Sequence, residues 1–120
     1  MKTKKEIKDE YKLMKFQMGV FQIRNISNGK IFVSSSVNLD KIWNRHKFQL
    51  DMGGHKNSEL QDDWNKLGTA NLLFEIVEEI KESDNPAIDN KKEVEILEEM
   101  ILEKLQPYGE KGYNRRKMKK

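Results

Sequence analysis

Two runs of alternating side chains meet at Asn28-Gly29, and this junction constrains the fold more than any other feature. In Gly19–Asn25, Val20, Gln22 and Arg24 alternate with Phe21 and Ile23, the period-two pattern of a strand. Asn-Gly supplies residues that tolerate positive φ, so the spacing predicts a β-hairpin on a type I′ turn, with a return strand over Lys30–Ser34. A lone hairpin is marginal in water. The rest of the chain must therefore supply a third strand and helices to cover it.

Those elements are readable in order. Residues 3–17 have the pattern of an amphipathic helix, with Ile7, Tyr11, Met14 and Met18 on one stripe, and Gly19 ends it. After the hairpin, Asn38 or Ser36 can cap a helix whose face carries Leu39, Ile42, Trp43, His46 and Leu50, and Gly53-Gly54 breaks it. Ser58 opens a short helix with Leu60, Trp64 and Leu67 on one side and Gly68 as its stop. Leu72–Ile80 reads as a buried strand, with Leu72, Phe74 and Ile76 opposite Leu73 and Val77. Residues 81–90 contain Pro86 and turn formers, a loop that ends where Asp89 can cap a last helix. That helix runs to about Leu105 on a stripe of Val94, Leu97, Ile101 and Leu105, and Pro107 stops it. The predicted order is α-β-β-α-α-β-α in an α+β domain. Its parts are an N-terminal helix over 1–18, one compact domain over 19–114 and a basic, disordered tail over 115–120.

Composition narrows the function. The 120 residues include no cysteine, which excludes disulfides, thiolate zinc sites and a cysteine nucleophile and suits a reducing compartment. No apolar run approaches the ~18 residues of a membrane span and no apolar leader follows Met1, so a cytoplasmic protein without membrane partners is expected. The net charge of +3 is unevenly spread: residues 1–57 carry 12 basic and 5 acidic groups, residues 58–105 carry 5 and 14, and residues 106–120 carry 6 and 1. A basic first half and tail suit contact with phosphates, while the acidic middle argues against a uniformly basic surface.

The sequence contains no P-loop, no G-x-G-x-x-G and no G-x-S-x-G. The two histidines, His46 and His55, would need two acidic ligands to complete a zinc site. His46 reads as a helix residue packed near Trp43. Glu78-Glu79 and Glu98-Glu99 are ordinary solvated pairs, although Glu98 follows the apolar Leu97 and can point partly inward.

From the hairpin onward the chain resembles the GIY-YIG nuclease family. Gly19-Val-Phe-Gln-Ile-Arg-Asn25 stands where that family has its G-I-Y strand, and Asn28-Gly-Lys-Ile-Phe-Val-Ser-Ser-Ser36 where it has N-G-K-x-Y-I-G-S-S. Asn38–His46 is similar to the family's first helix, x-x-x-R-W-x-x-H. His55, Leu60-Gln61, Trp64-Asn65-Lys66, Gly68, Phe74-Glu75-Ile76 and the closing Gly112-Tyr113-Asn114 continue the likeness in order. The resemblance implies a β-β-α-α-β-α core around a small mixed or antiparallel three-stranded sheet. It also implies phosphodiester hydrolysis with Mg2+ or another divalent metal. Two hairpin tyrosines, one activating water, a helix arginine on the phosphate and a glutamate on the metal are the family's machinery.

Carried over residue by residue, that machinery is depleted. Phe21 and Phe32 occupy the two tyrosine positions, Ser34 replaces the glycine of Y-I-G, and Ile42 occupies the arginine position. Arg45, three residues on, lies on a neighbouring part of the same helix face and offers a guanidinium in its place. His46 remains at the catalytic position, and Glu98 remains as the metal ligand, with Glu95 and Glu99 as alternatives of register. His55 and Asn114 flank the site. Candidate phosphate contacts are Arg24, Lys30, Lys41, Lys47, Lys56, Arg115 and Arg116, with Arg45 and Lys117 beside them. Phenylalanine cannot pass a proton and isoleucine cannot hold phosphate charge. Loss of acid–base help costs ~10²–10⁴ in rate, and loss of one charge donor ~10²–10³. The expectation is a degenerate nuclease-like domain that binds DNA without cutting. An active metal-dependent endonuclease and a non-catalytic interaction module, homodimeric through the N-terminal helix, are the alternatives.

Overall fold

The computed structural model describes residues 17–82 and 84–115. The helix expected over residues 3–17 and any dimer face on it, together with Arg116 and Lys117, lie outside the described residues. Strands β1 (Met18–Asn25), β2 (Ile31–Ser36) and β3 (Leu72–Ile80) form an antiparallel sheet in the order β2-β1-β3. Helices α1 (Leu39–Asp51), α2 (Ser58–Leu67) and α3 (Asn90–Leu105) complete the α+β fold, with short 3₁₀ turns at Thr69–Asn71 and Gly109–Lys111. Among the described residues no helix is long and apolar enough to cross a membrane.

Local chemistry fixes these ends. The Asn38, Asn57 and Asp89 side chains accept from the amides of Lys41, Leu60 and Lys92 respectively, so each helix begins on a side-chain cap. Gly68 ends α2 at φ 77°. The two faces of β1 are buried on opposite sides. Phe21 and Ile23 pack with Leu39, Leu50, Leu60, Trp64, Leu72 and Tyr113 under α1 and α2. Val20 and Val33 pack with Ile101 of α3 on the other side.

Two sequence expectations change. The hairpin forms, but not on a type I′ turn: the Asn25 amide donates to Lys30 O and Gly29 N donates to Asn25 O, enclosing a four-residue loop. Gly29 has φ 75° whereas Asn28 is not among the positive-φ residues, so only one of the two positions a type I′ turn needs is present. Asn25 sets this geometry, because its Oδ1 accepts from Ser27 N. Strand β3 is not buried along its length: Leu73, Ile76 and Val77 are exposed. It is an edge strand. Val20 opposes Glu78 while Phe21 opposes Ile76, so Val77 is an extra residue and the inward alternation slips there.

Candidate functional site

A two-lobed groove runs along the outer edge of β2. One lobe, about 460 Å³, lies between β2 and α3 and is walled by Phe32, Ser34, Glu98, Glu99, Glu103 and Tyr108. The other, about 300 Å³, is walled by His46, Gln49, His55, Lys56 and Asn57. Phe32, Asn114 and Arg115 line both, so the lobes meet at the Phe32 ring.

The predicted site residues divide sharply. Phe21 has no exposed surface and packs against Phe74, at 5.1 Å between ring centroids, and His46, at 5.5 Å. It forms the floor beneath the groove and does not line it. Ile42 joins the same core and presents nothing polar. Phe32 is half-buried on the groove wall. His46 packs on Phe21, Phe32 and His55, while Trp43, its expected neighbour, stacks on Phe74 at 4.9 Å. Arg45 is exposed on α1 and lines neither lobe. Glu98 and Glu99 reach the groove; Glu95 faces a separate hollow beside Ser35 and Val37.

Of the basic candidates, Lys56 and Arg115 reach the groove, with Arg115 Nη2 donating to Ser58 Oγ at 3.1 Å. Arg24 is engaged elsewhere: its Nε and Nη2 donate to the two oxygens of Glu75 at 2.6 and 3.3 Å, which raises the guanidinium's pKa and lowers the carboxylate's. Lys30 sits 5.5 Å from the Tyr113 ring centroid and 3.5 Å from Glu59. Lys41 and Lys47 lie exposed on α1, outside the groove.

The histidines form a chain of hydrogen bonds. Asn57 N, which can only donate, lies 3.0 Å from His55 Nδ1 and makes it an acceptor. Neutral His55 then carries its proton on Nε2, 2.8 Å from His46 Nδ1, and donates it there. Neutral His46 consequently holds its own proton on Nε2. Burial pushes the His46 pKa down to about 4, with the neighbouring charges of His55 and Arg45 acting in the same direction. Burial also lowers that of His55, against the opposing Asn57 hydrogen bond. Both rings are neutral near pH 7. The Gly53-Gly54 break lets the chain fold back after α1 and brings together two histidines nine positions apart.

Sequence reasoning missed Gln49, Asn57, Glu103 and Tyr108. Gln49 was legible, since it lies three residues after His46 on the same helix face. The others depend on how α3 and the closing turn meet β2. Asn114 holds that meeting: its Oδ1 accepts from Val33 N at 2.7 Å and its Nδ2 donates to Val33 O at 2.8 Å.

As for a metal, no three His, Cys, Asp or Glu side chains gather around one point among the described residues. Zinc, which wants a closed set of nitrogen or sulfur ligands, does not fit. Mg2+ takes one or two carboxylates and keeps its waters. Glu98, on the groove wall, is one carboxylate of that kind.

No family model matches the chain. The chain is 41% identical over 64 residues to intron-associated endonuclease 1 of Enterobacteria phage T4; the match covers 52% of this chain and 25% of that relative. The chain thus spans about a quarter of the length of the curated relative it matches. Two solved structures of the catalytic domain of intron endonuclease I-TevI superpose on it with TM-scores of 0.68 and 0.67 and 29% identity, the second being a glutamate-to-alanine mutant. They cover 83% and 82% of this chain, which spans 99% and 93% of theirs. Homologous to that catalytic domain in sequence and in fold, the chain belongs to the GIY-YIG nuclease family.

Proposed function

We propose that the domain binds nucleic acid along the β2 groove without cutting it at the rate of an intact family site. One observation carries this reading: the aromatic ring shared by both lobes is the hydrocarbon ring of Phe32, which has no proton to give or take. Ile42, at the arginine position, belongs to the core. The neutral His46–His55 pair donates and orients but holds no positive charge near pH 7. Lys56 and Arg115 supply the charge that attracts phosphates. Mg2+, when bound, would be held by Glu98 and its own waters and would neutralise phosphate charge. This chain's own residues would bind and orient the strand.

The test is a titration with DNA across salt concentrations, paired with a cleavage assay in Mg2+ or Mn2+. Binding that weakens steeply with salt and no metal-dependent nicking are expected. Nicking at ordinary nuclease rates, abolished by Glu98→Ala, would overturn the non-cutting reading. Absence of binding at low salt would overturn the reading altogether.

A further inference from the structure

From the contrast between the two lobes, we propose that the groove seats one unpaired nucleotide, its phosphate among the donors of the His46 lobe and its base on the Phe32 ring. This rests on reading the groove as a nucleic-acid surface and adds the class of strand it takes.

The lobes differ in chemistry. Among the described residues the His46 lobe has no carboxylate in its wall. It offers the Lys56 ammonium, the Arg115 guanidinium, the Gln49 amide and the His46 Nε2–H that the Asn57–His55 hydrogen bonds leave as a donor. Such a set suits a phosphate's oxygens and offers little to a base edge. The Phe32 lobe is the reverse. Its wall combines the aromatic ring with Leu102, Tyr108 and three glutamates, and among the described residues Arg115 at the junction is its one basic group. Carboxylates repel a phosphate but accept from the exocyclic amino groups of adenine and cytosine. A nucleotide carries phosphate and base at opposite ends of one sugar, and the two lobes adjoin at Phe32. Their volumes, about 460 and 300 Å³, lie in the range of small-ligand sites.

A base inside a duplex cannot lie on Phe32 unless it leaves its stack and its pair, and that costs energy. An unpaired strand escapes most of this cost. Stacking on an aromatic side chain then adds affinity for any base. Amino-bearing bases gain further from the glutamates, since an exocyclic amino group offers two N–H donors where unpaired thymine offers only its N3–H.

The experiment uses the full chain in EDTA at low salt. Labelled oligo-dA, oligo-dC, oligo-dT, oligo-rA and a duplex of equal length are titrated by fluorescence anisotropy, and a 2-aminopurine strand reports stacking directly. Oligo-dA and oligo-dC should bind roughly tenfold more tightly than duplex, with oligo-dT between them, and 2-aminopurine emission should fall on binding. Equal affinity for oligo-rA would leave the sugar unread, and weaker affinity would mark the pocket as selective for deoxyribose; either is consistent with one seated nucleotide. Phe32→Leu should lose roughly tenfold on single strands and the quenching, and Phe32→Tyr should restore both. If Phe32→Leu fails to fold, the wild-type quenching and Phe32→Tyr still decide. Duplex binding as tight as single-strand binding, with unchanged emission, overturns this inference alone. No binding of any strand instead sinks the functional reading beneath it.

Discussion

Two polar regions flank β2, and they are built on opposite rules. In the closing corner no buried side-chain polar atom of the described residues lacks a partner. The Asn25 Nδ2 donates to Tyr113 Oη at 2.9 Å, Tyr113 Oη donates to Asp63 Oδ2 at 2.5 Å, and Asn57 Nδ2 donates to Tyr113 O at 2.6 Å. Burial, then Asp63, pushes the Tyr113 hydroxyl up to about 12. In the groove, Glu98, Gln49 and Lys56 have no side-chain hydrogen bond or ion pair among the described residues. Partnered polar groups specify the fold, whereas convergent groups left without partners await something from outside. The groove combines both kinds: His46, His55, Asn57, Asn114 and Arg115 are held by partners, and Glu98, Gln49 and Lys56 project beside them.

The comparison can be broken most easily at Tyr113. Tyr113→Ala empties a site only 2% exposed and should cost about 3–5 kcal/mol in urea unfolding; a loss below about 1 kcal/mol would show that the corner is not structural. Acid attacks the seam between the regions. His46 titrates near 4 in the folded chain and near 6.5 when unfolded, so the unfolded chain binds more protons between those values. The His46 contribution to stability should be constant above pH 6.5 and fall by about 2 kcal/mol towards pH 4, and His46→Gln should make the limb between pH 6.5 and 5 shallower. Tyr113→Phe keeps the packing and removes the hydroxyl shared by Asn25 and Asp63, for a loss of about 1–2 kcal/mol by thermal or urea unfolding. The smallest effects belong to the groove. Lys56→Ala and Glu98→Gln should change stability by less than about 0.5 kcal/mol. Lys56→Ala should lower the salt slope of nucleic-acid binding by about 1.

What was legible in the sequence was whatever depends on near neighbours. The caps at Asn38 and Asp89, the stop at Gly68 and the hairpin itself follow from residues within a few positions of one another. The turn type was lost because Asn25, three residues before the Asn-Gly pair, takes control of the loop through its side chain. The exposure of β3 was hidden because its apolar alternation is real but it lies at the edge of the sheet, and a bulge breaks its phase. Tyr113 read as part of a turn, yet it is buried by residues contributed from β1, α2 and the hairpin. The family pattern placed Phe32, His46, His55, Glu98 and Asn114 near one another, and all five line the groove. It could not show that Phe21 lies beneath the surface and that Ile42 packs half-buried against the core, since that depends on how tightly α1 presses on the sheet.

The Asn114 carboxamide presents one acceptor and one donor to the outward-facing amide and carbonyl of Val33, as the peptide of an adjoining strand would. A single side chain thereby stands in for a fourth strand at the middle of β2. Backbone groups that would otherwise recruit another chain are already spent there, so the sheet is terminated from within on the side that carries the groove. The opposite border, β3, carries Leu73, Ile76 and Val77 at the surface, and among the described residues no side chain pairs with its outer backbone as Asn114 does with Val33. Strand addition at the middle of β2 would have to displace the Asn114 carboxamide, so the border that carries the groove is closed to it at Val33.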